Sequence, residues 1–234
     1  MSVFGRLAHI EFLRLWSYYF GGLKDMLRRS LILLLALCAS VALPCRAQDS
    51  WHQEAGQLAS LLKWHEGSVV ADIGAGKGQL TLAAAERIAP TGKIYSTELD
   101  SQEVDALKEL AKNQTSITVV QAAEASTNLP SACCDSIFMR LVYHHLTKPA
   151  EIDASLFQSL KSGGRLAVID ENPRPGSSIP PGVPPNRVGH GIPQKILIRE
   201  LTAAGFRVET IENTWPAGDP YHPMYCVVFL KPAS

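Results

Sequence analysis

The chain has 234 residues, of which 46% are hydrophobic and 19% are charged, and its 22 basic and 22 acidic side chains cancel to a formal net charge of zero. This apolar fraction can fill the core of one globular domain and is too high for a disordered chain. The balanced charge argues against a general nucleic-acid binder. The five cysteines form no CxxC pair and no evenly spaced framework, so we expect neither a metal site nor a disulfide scaffold.

The N-terminal segment differs in character from the remainder of the chain. Three basic residues precede an apolar run of thirteen residues, 31–43, which is followed by Pro44, Cys45, Arg46 and Ala47. This order is typical of a secretory signal, and the run is shorter than the roughly 20 residues that a straight membrane-spanning helix needs. We expect residues 1–47 to be a cleaved leader and the protein to be exported or periplasmic. The alternatives are a buried helix, membrane association through residues 26–45, or a cytoplasmic protein with a misassigned start.

Residues 48–234 alternate short apolar runs with helix-length segments, after a short amphipathic stretch that contains two tryptophans. The predicted strands are Ser68 to Ile73, Lys93 to Glu98, Ile117 to Gln121, Ser136 to Leu141, Arg165 to Asp170, Phe206 to Thr214 and Met224 to Leu230. The predicted helices are Gln79 to Ala89, Ser101 to Asn113, Glu151 to Leu160 and Gln194 to Ala204. Such alternation indicates an α/β fold with parallel strands and crossover helices. The last two strands are predicted to form a hairpin that closes the sheet.

A proline-rich segment over residues 172–185 follows the fifth predicted strand and holds six prolines. Too little chain follows it to build a second domain, so we interpret it as a loop. It leaves the carboxyl end of a parallel strand, which is the edge where open α/β sheets bind ligands. His190, between Gly189 and Gly191, follows this loop and is interpreted as part of a lid or as an exposed turn.

The most informative segment is a buried strand that breaks into three alternate glycines and then a helix, Val69-Val70-Ala71-Asp72-Ile73-Gly74-Ala75-Gly76-Lys77-Gly78-Gln79-Leu80. Gly74 suits the tight turn, Gly76 allows close approach of a ligand, and Gly78 permits close packing of the helix start. A dinucleotide fingerprint would need glycine in place of Gln79. A P-loop would need Gly-Lys followed by Ser or Thr, and neither pattern is present.

An acidic residue two positions before GxGxG resembles motif I of the class I S-adenosylmethionine-dependent methyltransferases. Later segments resemble that family in the same order: Glu98 at the end of the second strand, residues 119–124 after the third, residues 134–146 along the fourth, and the turn at residues 160–166. The resemblance covers roughly residues 55–230. It implies a Rossmann-like three-layer sandwich with a seven-stranded, mostly parallel sheet and a C-terminal antiparallel hairpin.

The resemblance also implies a cofactor, S-adenosylmethionine, and a set of residues that bind it. Asp72 is expected near the methionine amino group and Glu98 on the ribose hydroxyls. Glu124, or the backbone beside it, is expected near the adenine. The expected cofactor-binding residues are Asp72, Gly74, Gly76, Gly78, Glu98 and Glu124.

Candidates for catalysis follow from strand topology. His144 and His145 leave the fourth strand and Asp170 leaves the fifth, so neighbouring parallel strands place them at the same edge of the sheet. A histidine can act as a base near neutral pH, with Asp170 orienting it. The alternative is that the histidine pair shapes the pocket without taking part in the reaction.

The sequence therefore predicts methyl transfer from S-adenosylmethionine to a small-molecule acceptor. Two alternatives remain at this stage: a non-catalytic S-adenosylmethionine-binding or scaffolding protein of the same fold, and an NAD-dependent oxidoreductase, which Gln79 disfavours.

Overall fold

The computed structural model of the protein describes residues 50–217 and 224–233. The predicted leader, residues 1–47, lies outside the described residues. The helices are α1 over residues 50–62, α2 (Gln79–Ile88), α3 (Ser101–Ala111), α4 (Pro149–Ser159) and α5 (Gln194–Ala203). The strands are β1 (Val69–Ile73), β2 (Lys93–Glu98), β3 (Ile117–Gln121), β4 (Cys134–Arg140), β5 (Leu160–Glu171), β6 (Arg207–Trp215) and β7 (Met224–Leu230).

The seven strands form one sheet in the order β3-β2-β1-β4-β5-β7-β6. The first five strands in this order run parallel, and β7 lies antiparallel between β5 and β6. The predicted fold class and terminal hairpin are confirmed. The strand order reverses between β1 and β4, so the chain leaves a crevice at the carboxyl ends of those two strands.

The sheet is buried on both faces because alternate residues of each central strand enter different cores. Val70 and Phe138 pack with α1 and α2, whereas Ala71, Ile137 and Met139 pack with residues of α4 and α5. Strands that are covered on both faces need continuous apolar runs, and β1, β4 and β7 have them. Successive side chains of a strand point to opposite faces, so these runs specify three layers.

Two boundaries of the fifth strand region differ from the sequence prediction. The predicted helix ran to Leu160 and the strand began at Arg165, whereas β5 begins at Leu160, which pairs with Cys134. The intervening residues are polar and glycine-rich, but Gly163 and Gly164 exchange backbone hydrogen bonds with Lys231. Residues 160–164 therefore form a strand because they pair with other segments of the sheet, although their own composition indicates a turn.

Helix α1 is held to the sheet by a buried carboxylate. Glu54 is 3% exposed, and its Oε1 accepts hydrogen bonds from Trp215 Nε1 at 2.7 Å and from Arg140 Nε at 2.9 Å. Arg140 also lies over the ring of Trp51, 5.0 Å from its centroid. These contacts fix the end of β4 and place Trp215 in the core.

The three cysteines that the structure describes, Cys133, Cys134 and Cys226, are free thiols. Over residues 50–217 and 224–233, none of the helices combines the length and the apolar character required to span a membrane.

Candidate active site

A cavity of about 420 Å³ opens at the carboxyl ends of β1, β2 and β4, in the crevice made by the reversal of strand order. This volume is within the range of small-molecule sites. Its walls combine an apolar side with a few polar groups. The lining residues are Ile73, Gly74, Thr97, Glu98, Leu99, Ala122, Ala123, Glu124, Thr127, Arg140, Leu141, Val142, His145, Leu146, Thr147 and Ile152.

Gly74, the first glycine of the turn after β1, lines this cavity, whereas Gly76 and Gly78 are not among its lining residues. Gly74 has a φ of 70°, and a Cβ there would lie 2.4 Å from Cγ2 of Val142. Gly78 packs against Leu107 of α3, where a Cβ would come within 2.9 Å. Gly76 has a φ of 54° and open space around the position of a Cβ. Gly74 and Gly78 are therefore required by the protein's own packing, whereas Gly76 leaves room for another molecule.

Glu98 connects the glycine turn to the end of β2. Its Oε1 accepts a hydrogen bond from the backbone N–H of Gly76 at 2.7 Å, and its Oε2 accepts one from Leu99 N at 3.0 Å. Each carboxylate oxygen has a further lone pair, and Glu98 lines the cavity. The carboxylate therefore fixes the turn and can still accept hydrogen bonds from hydroxyl groups in the cavity.

Glu124 and Thr97 lie at other points on the cavity wall. Glu124 is exposed and forms an ion pair with Lys148 at 3.5 Å. Thr97 is fully buried, and its hydroxyl has no hydrogen-bond partner among the described residues. An unsatisfied buried hydroxyl beside a cavity can bond to a ligand there.

Asp72 lies behind the glycine turn and is not part of the cavity wall. It is 3% exposed, and its Oδ2 pairs with Oγ1 of Thr81 at 2.6 Å. Burial raises the pKa of Asp72 to about 7; the charge of Glu98 acts in the same direction, while the bond from Thr81 and the charge of Arg140 lower it. A cation close to this carboxyl group would favour its ionised form.

His144 and Asp170 form a buried pair, as the strand topology predicted. Nδ1 of His144 lies 2.7 Å from Oδ1 of Asp170, and the two side chains are 2% and 0% exposed. Asp170 also accepts backbone N–H bonds from His144 and Glu171. His144 does not reach the cavity, whereas the exposed His145 lines it. Partial burial, together with the charges of His144 and His190, lowers the pKa of His145, while the charge of Asp170 acts in the opposite direction.

Three features of this region were not found from the sequence. Arg140 lines the cavity, and its position at the end of β4 was the available signal. Val142 sets the need for glycine at position 74. His190 lies beside His144 and His145, with ring centroids 4.7 and 5.1 Å away, although the whole of α4 and β5 lies between it and His145 along the chain.

The strand order with its antiparallel β7, the glycine turn after β1 and the acid at the end of β2 together define the class I methyltransferase fold. Residues 71–168 match the sequence profile of a family described as "Methyltransferase domain". This match covers less than half of the chain, and together with the strand order and the glycine turn it makes the protein similar to the class I S-adenosylmethionine-dependent methyltransferases, as its motifs predicted. S-adenosylmethionine is the cofactor of that family.

Relatives among curated proteins are distant. The ubiquinone/menaquinone biosynthesis C-methyltransferase of Erwinia tasmaniensis is 27% identical over 107 residues, which cover 44% of this chain and 43% of that protein. The protein of the same name from Francisella tularensis is 28% identical over 109 residues, 45% of this chain and 44% of its own length. The chain therefore matches less than half of the length of these relatives.

Solved structures show the same fold at low identity. A SAM-dependent methyltransferase from Aquifex aeolicus superposes with a TM-score of 0.63 and 20% identity, over 76% of this chain and 89% of its own. The [4+2]-cyclase SpnF superposes with a TM-score of 0.62 and 17% identity, over 78% of this chain and 82% of its own. Because the second protein is named a cyclase, this fold is not restricted to one reaction.

Replacing Glu98 by glutamine is expected to weaken S-adenosylmethionine binding about 10- to 100-fold, because hydrogen bonds to a charged group contribute roughly 1.5–3 kcal/mol. The amide would also present an N–H to the backbone N–H of Gly76 or Leu99, which loosens the turn. Calorimetric titration of the variant with S-adenosylmethionine measures the loss of affinity. Glu124→Gln is the comparison, since an exposed amide oxygen can still accept a bond from an amino group, and equal losses in the two variants would contradict the assignment of Glu98.

The affinity for S-adenosylmethionine is expected to rise between pH 6 and 7.5, because the cofactor is a cation and Asp72 ionises in this window. The rise would be roughly eightfold in the limit in which only the ionised form binds the cofactor. Below pH 7 the raised pKa keeps the carboxyl protonated, so binding should release a proton. Titration in two buffers of different ionisation enthalpy measures that proton. Asp72→Asn should abolish the release, whereas Asp153→Asn should not, although burial also raises the pKa of Asp153 to about 7.

Proposed function

We propose that this protein transfers the methyl group of S-adenosylmethionine to a small-molecule acceptor. The observation that carries the proposal is the Glu98 carboxylate, held against the glycine turn by Gly76 and facing a cavity of about 420 Å³. The residues fit the cofactor: a carboxylate for sugar hydroxyls, an open approach at Gly76, and the hydroxyl of Thr97, which is unpaired within the described part of the chain.

Methyl transfer makes modest demands on the protein. The sulfonium already activates the methyl carbon, so the main task is to place an acceptor atom in line with it. The apolar side of the cavity, which includes Leu141, Val142, Leu146 and Ile152, would exclude water and position a small, largely apolar acceptor. His145 is the titratable ring on that wall and could receive a proton from the acceptor.

Two observations support a small acceptor. The cavity has a volume of about 420 Å³, which suits a small molecule, and most of its lining residues are uncharged. The named curated relatives are quinone-biosynthesis C-methyltransferases, which act on a small molecule by their names. The alternative is a protein that binds S-adenosylmethionine without transferring its methyl group, and the fold shared with a [4+2]-cyclase favours keeping it as a second candidate.

Calorimetry with S-adenosylmethionine, S-adenosylhomocysteine and NAD tests the nucleotide class. Binding of the two sulfur nucleosides and not of NAD is expected. Binding of NAD alone would overturn the proposal. Incubation with methyl-labelled cofactor and small-molecule extracts then distinguishes turnover from binding alone, since a non-catalytic binder would bind with normal affinity and label no small molecule.

We further propose that residues 1–47 direct the chain out of the cytoplasm, on the strength of their basic, apolar and small-residue order. A cofactor made in the cytosol is not expected to be plentiful outside it, so this proposal needs a direct test. N-terminal sequencing of the natural protein and fractionation of cells provide it. A mature protein that starts upstream of Ala47 and remains in the cytoplasmic fraction would contradict cleavage and export.

A further inference from the structure

Three imidazole rings meet at the carboxyl-end edge of the sheet, beside the cavity. His144 and His145 come from a short 3-10 helix, Tyr143–His145, that follows β4, and His190 comes from the loop before α5. The ring centroids of His144 and His145 are 4.1 Å apart, and one nitrogen from each of the three rings lies within 4.8 Å of the other two. We call these three residues the histidine cluster.

The buried ring of His144 has an unpaired nitrogen. Its Nδ1 donates to Asp170 because a carboxylate accepts hydrogen bonds, and in the neutral form of the ring the lone pair is therefore on Nε2. This Nε2 is buried and has no partner within residues 50–217 and 224–233. A buried acceptor without a donor is costly, and the rings of His145 and His190 are its neighbours.

A second carboxylate stands behind the cluster. Glu171 is 5% exposed, and its Oε1 lies 3.9 Å from Nδ1 of His190, beyond hydrogen-bond distance, while both of its carboxylate oxygens accept hydrogen bonds from Nη2 of Arg174. Asp170 is therefore the hydrogen-bonded partner of His144, and Glu171 places a negative charge near His190. Metal-binding histidines almost always have such an outer partner, which fixes the ring orientation and strengthens the ligand.

The backbone on either side of His190 holds its ring close to the rings of His144 and His145. A Cβ at Gly191 would lie 2.7 Å from the backbone oxygen of Glu171, and one at Gly189 would lie 2.8 Å from Oγ of Ser177. His190 N donates to the same Ser177 Oγ at 2.8 Å. The two glycines allow the loop to lie directly on the end of β5, so the position of His190 is fixed and not that of a free lid.

We propose that His144, His145 and His190 form a binding site for one divalent transition-metal ion, with Asp170 as the outer carboxylate of His144 and Glu171 as a nearby negative charge. Zinc suits three imidazoles, with Zn–N distances of about 2.0–2.1 Å and a tetrahedral arrangement. That geometry needs nitrogens roughly 3.3 Å apart, so small side-chain rotations would complete the site. Three protein ligands leave a fourth position for water or for an oxygen atom of a bound small molecule.

The full chain, purified without a histidine tag and stripped with a chelator, is titrated with zinc alone. We expect one zinc per chain, and the cobalt-loaded protein should show the visible absorption of a tetrahedral site. His190→Gln should weaken binding by about 100-fold or more and abolish that spectrum. His65→Gln, an exposed histidine away from the cluster, should change neither measurement.

Asp170→Asn separates a metal site from a merely structural role of the pair. It is expected to weaken zinc binding about 10- to 100-fold while circular dichroism shows a folded protein. If Asp170→Asn does not fold, His190→Gln decides the question. Absence of saturable zinc binding in the unaltered chain would overturn the proposal. Equal zinc affinity in the unaltered chain and in His190→Gln would do the same.

The metal site is tested separately from methyl transfer, because His145 can receive a proton only while its nitrogen holds no metal ion. Zinc is titrated in the absence of S-adenosylmethionine, and the cofactor is titrated separately against the chelated protein. Failure to bind the cofactor would reject the proposed function and leave the metal site standing. Failure to bind zinc would reject the metal site and leave the cofactor result unaffected.

Discussion

Gly76→Leu should reduce the affinity for S-adenosylmethionine by about 100-fold or more, roughly 3 kcal/mol, while the protein stays folded. The side chain would enter the space that the structure leaves open at Gly76, beside the carboxylate of Glu98. Nothing in the described part of the protein lies within 4 Å of the new Cβ, so the folded state loses only the backbone cost of a positive φ, about 1–2 kcal/mol. Calorimetry measures the affinity and thermal unfolding measures the stability.

The chain offers a matched control for this change. Gly163 also has a positive φ, 77°, and open space at the Cβ position, but it lies at the opposite end of the sheet, where β5 begins. Gly163→Leu should carry the same backbone cost and leave cofactor affinity unchanged. Equal loss of affinity in the two variants would show that the effect of Gly76→Leu is general destabilisation and not obstruction of the site.

Arg187→Met should lower the free energy of unfolding by about 3–5 kcal/mol, the usual cost of removing one partner of a buried ion pair. The side chain of Arg187 is 0% exposed, and its Nη1 donates to Oε1 of Glu200 at 2.8 Å. Glu200 and the nearby Asp153 both face the hydroxyl of Tyr143. Without the guanidinium, these carboxyl groups would lose the cation beside them. Urea unfolding monitored by circular dichroism measures the loss.

Two variants test the cause of this loss. Arg165 forms a two-bond ion pair with Glu209 at 2.7 and 2.8 Å, but those side chains are 23% and 30% exposed. Arg165→Met should therefore cost about 1 kcal/mol or less. Adding Glu200→Gln to Arg187→Met should recover part of the loss. Similar costs for the two arginines would contradict the importance of the buried pair.

The strands were predictable because each lies in a pattern that its own residues create. The limits of β2, β3 and β7 agree with the prediction, since each segment is rich in β-branched or aromatic residues. The start of β5, residues 160–164, was not predictable, because it becomes a strand only through its pairing with Cys134 and with Lys231. Local propensity contains no information about such partners.

The residues of the candidate site also fall into those whose positions the sequence could predict and those whose positions it could not. Glu98 and the glycine turn could be placed from spacing, because both lie directly at strand ends. The pair of His144 and Asp170 followed from neighbouring parallel strands. The position of His190 could not be inferred, since residues 172–189 separate it from the end of β5. Burial of Arg187 was equally hidden, because a charged residue in a proline-rich loop is ordinarily solvated.

The reversal of strand order between β1 and β4 divides the binding region by chain position. The hydrogen bonds that hold the glycine turn come from Thr97 and Glu98, in the first half of the domain, whereas the histidine cluster and the proline-rich loop come from residues after Arg140. The residues of these two parts of the chain can therefore change independently of each other during evolution. Grafting the loop of a relative between β5 and α5 should therefore change the histidine cluster, to which this segment contributes His190, and preserve the nucleoside affinity, because the segment does not line the cavity.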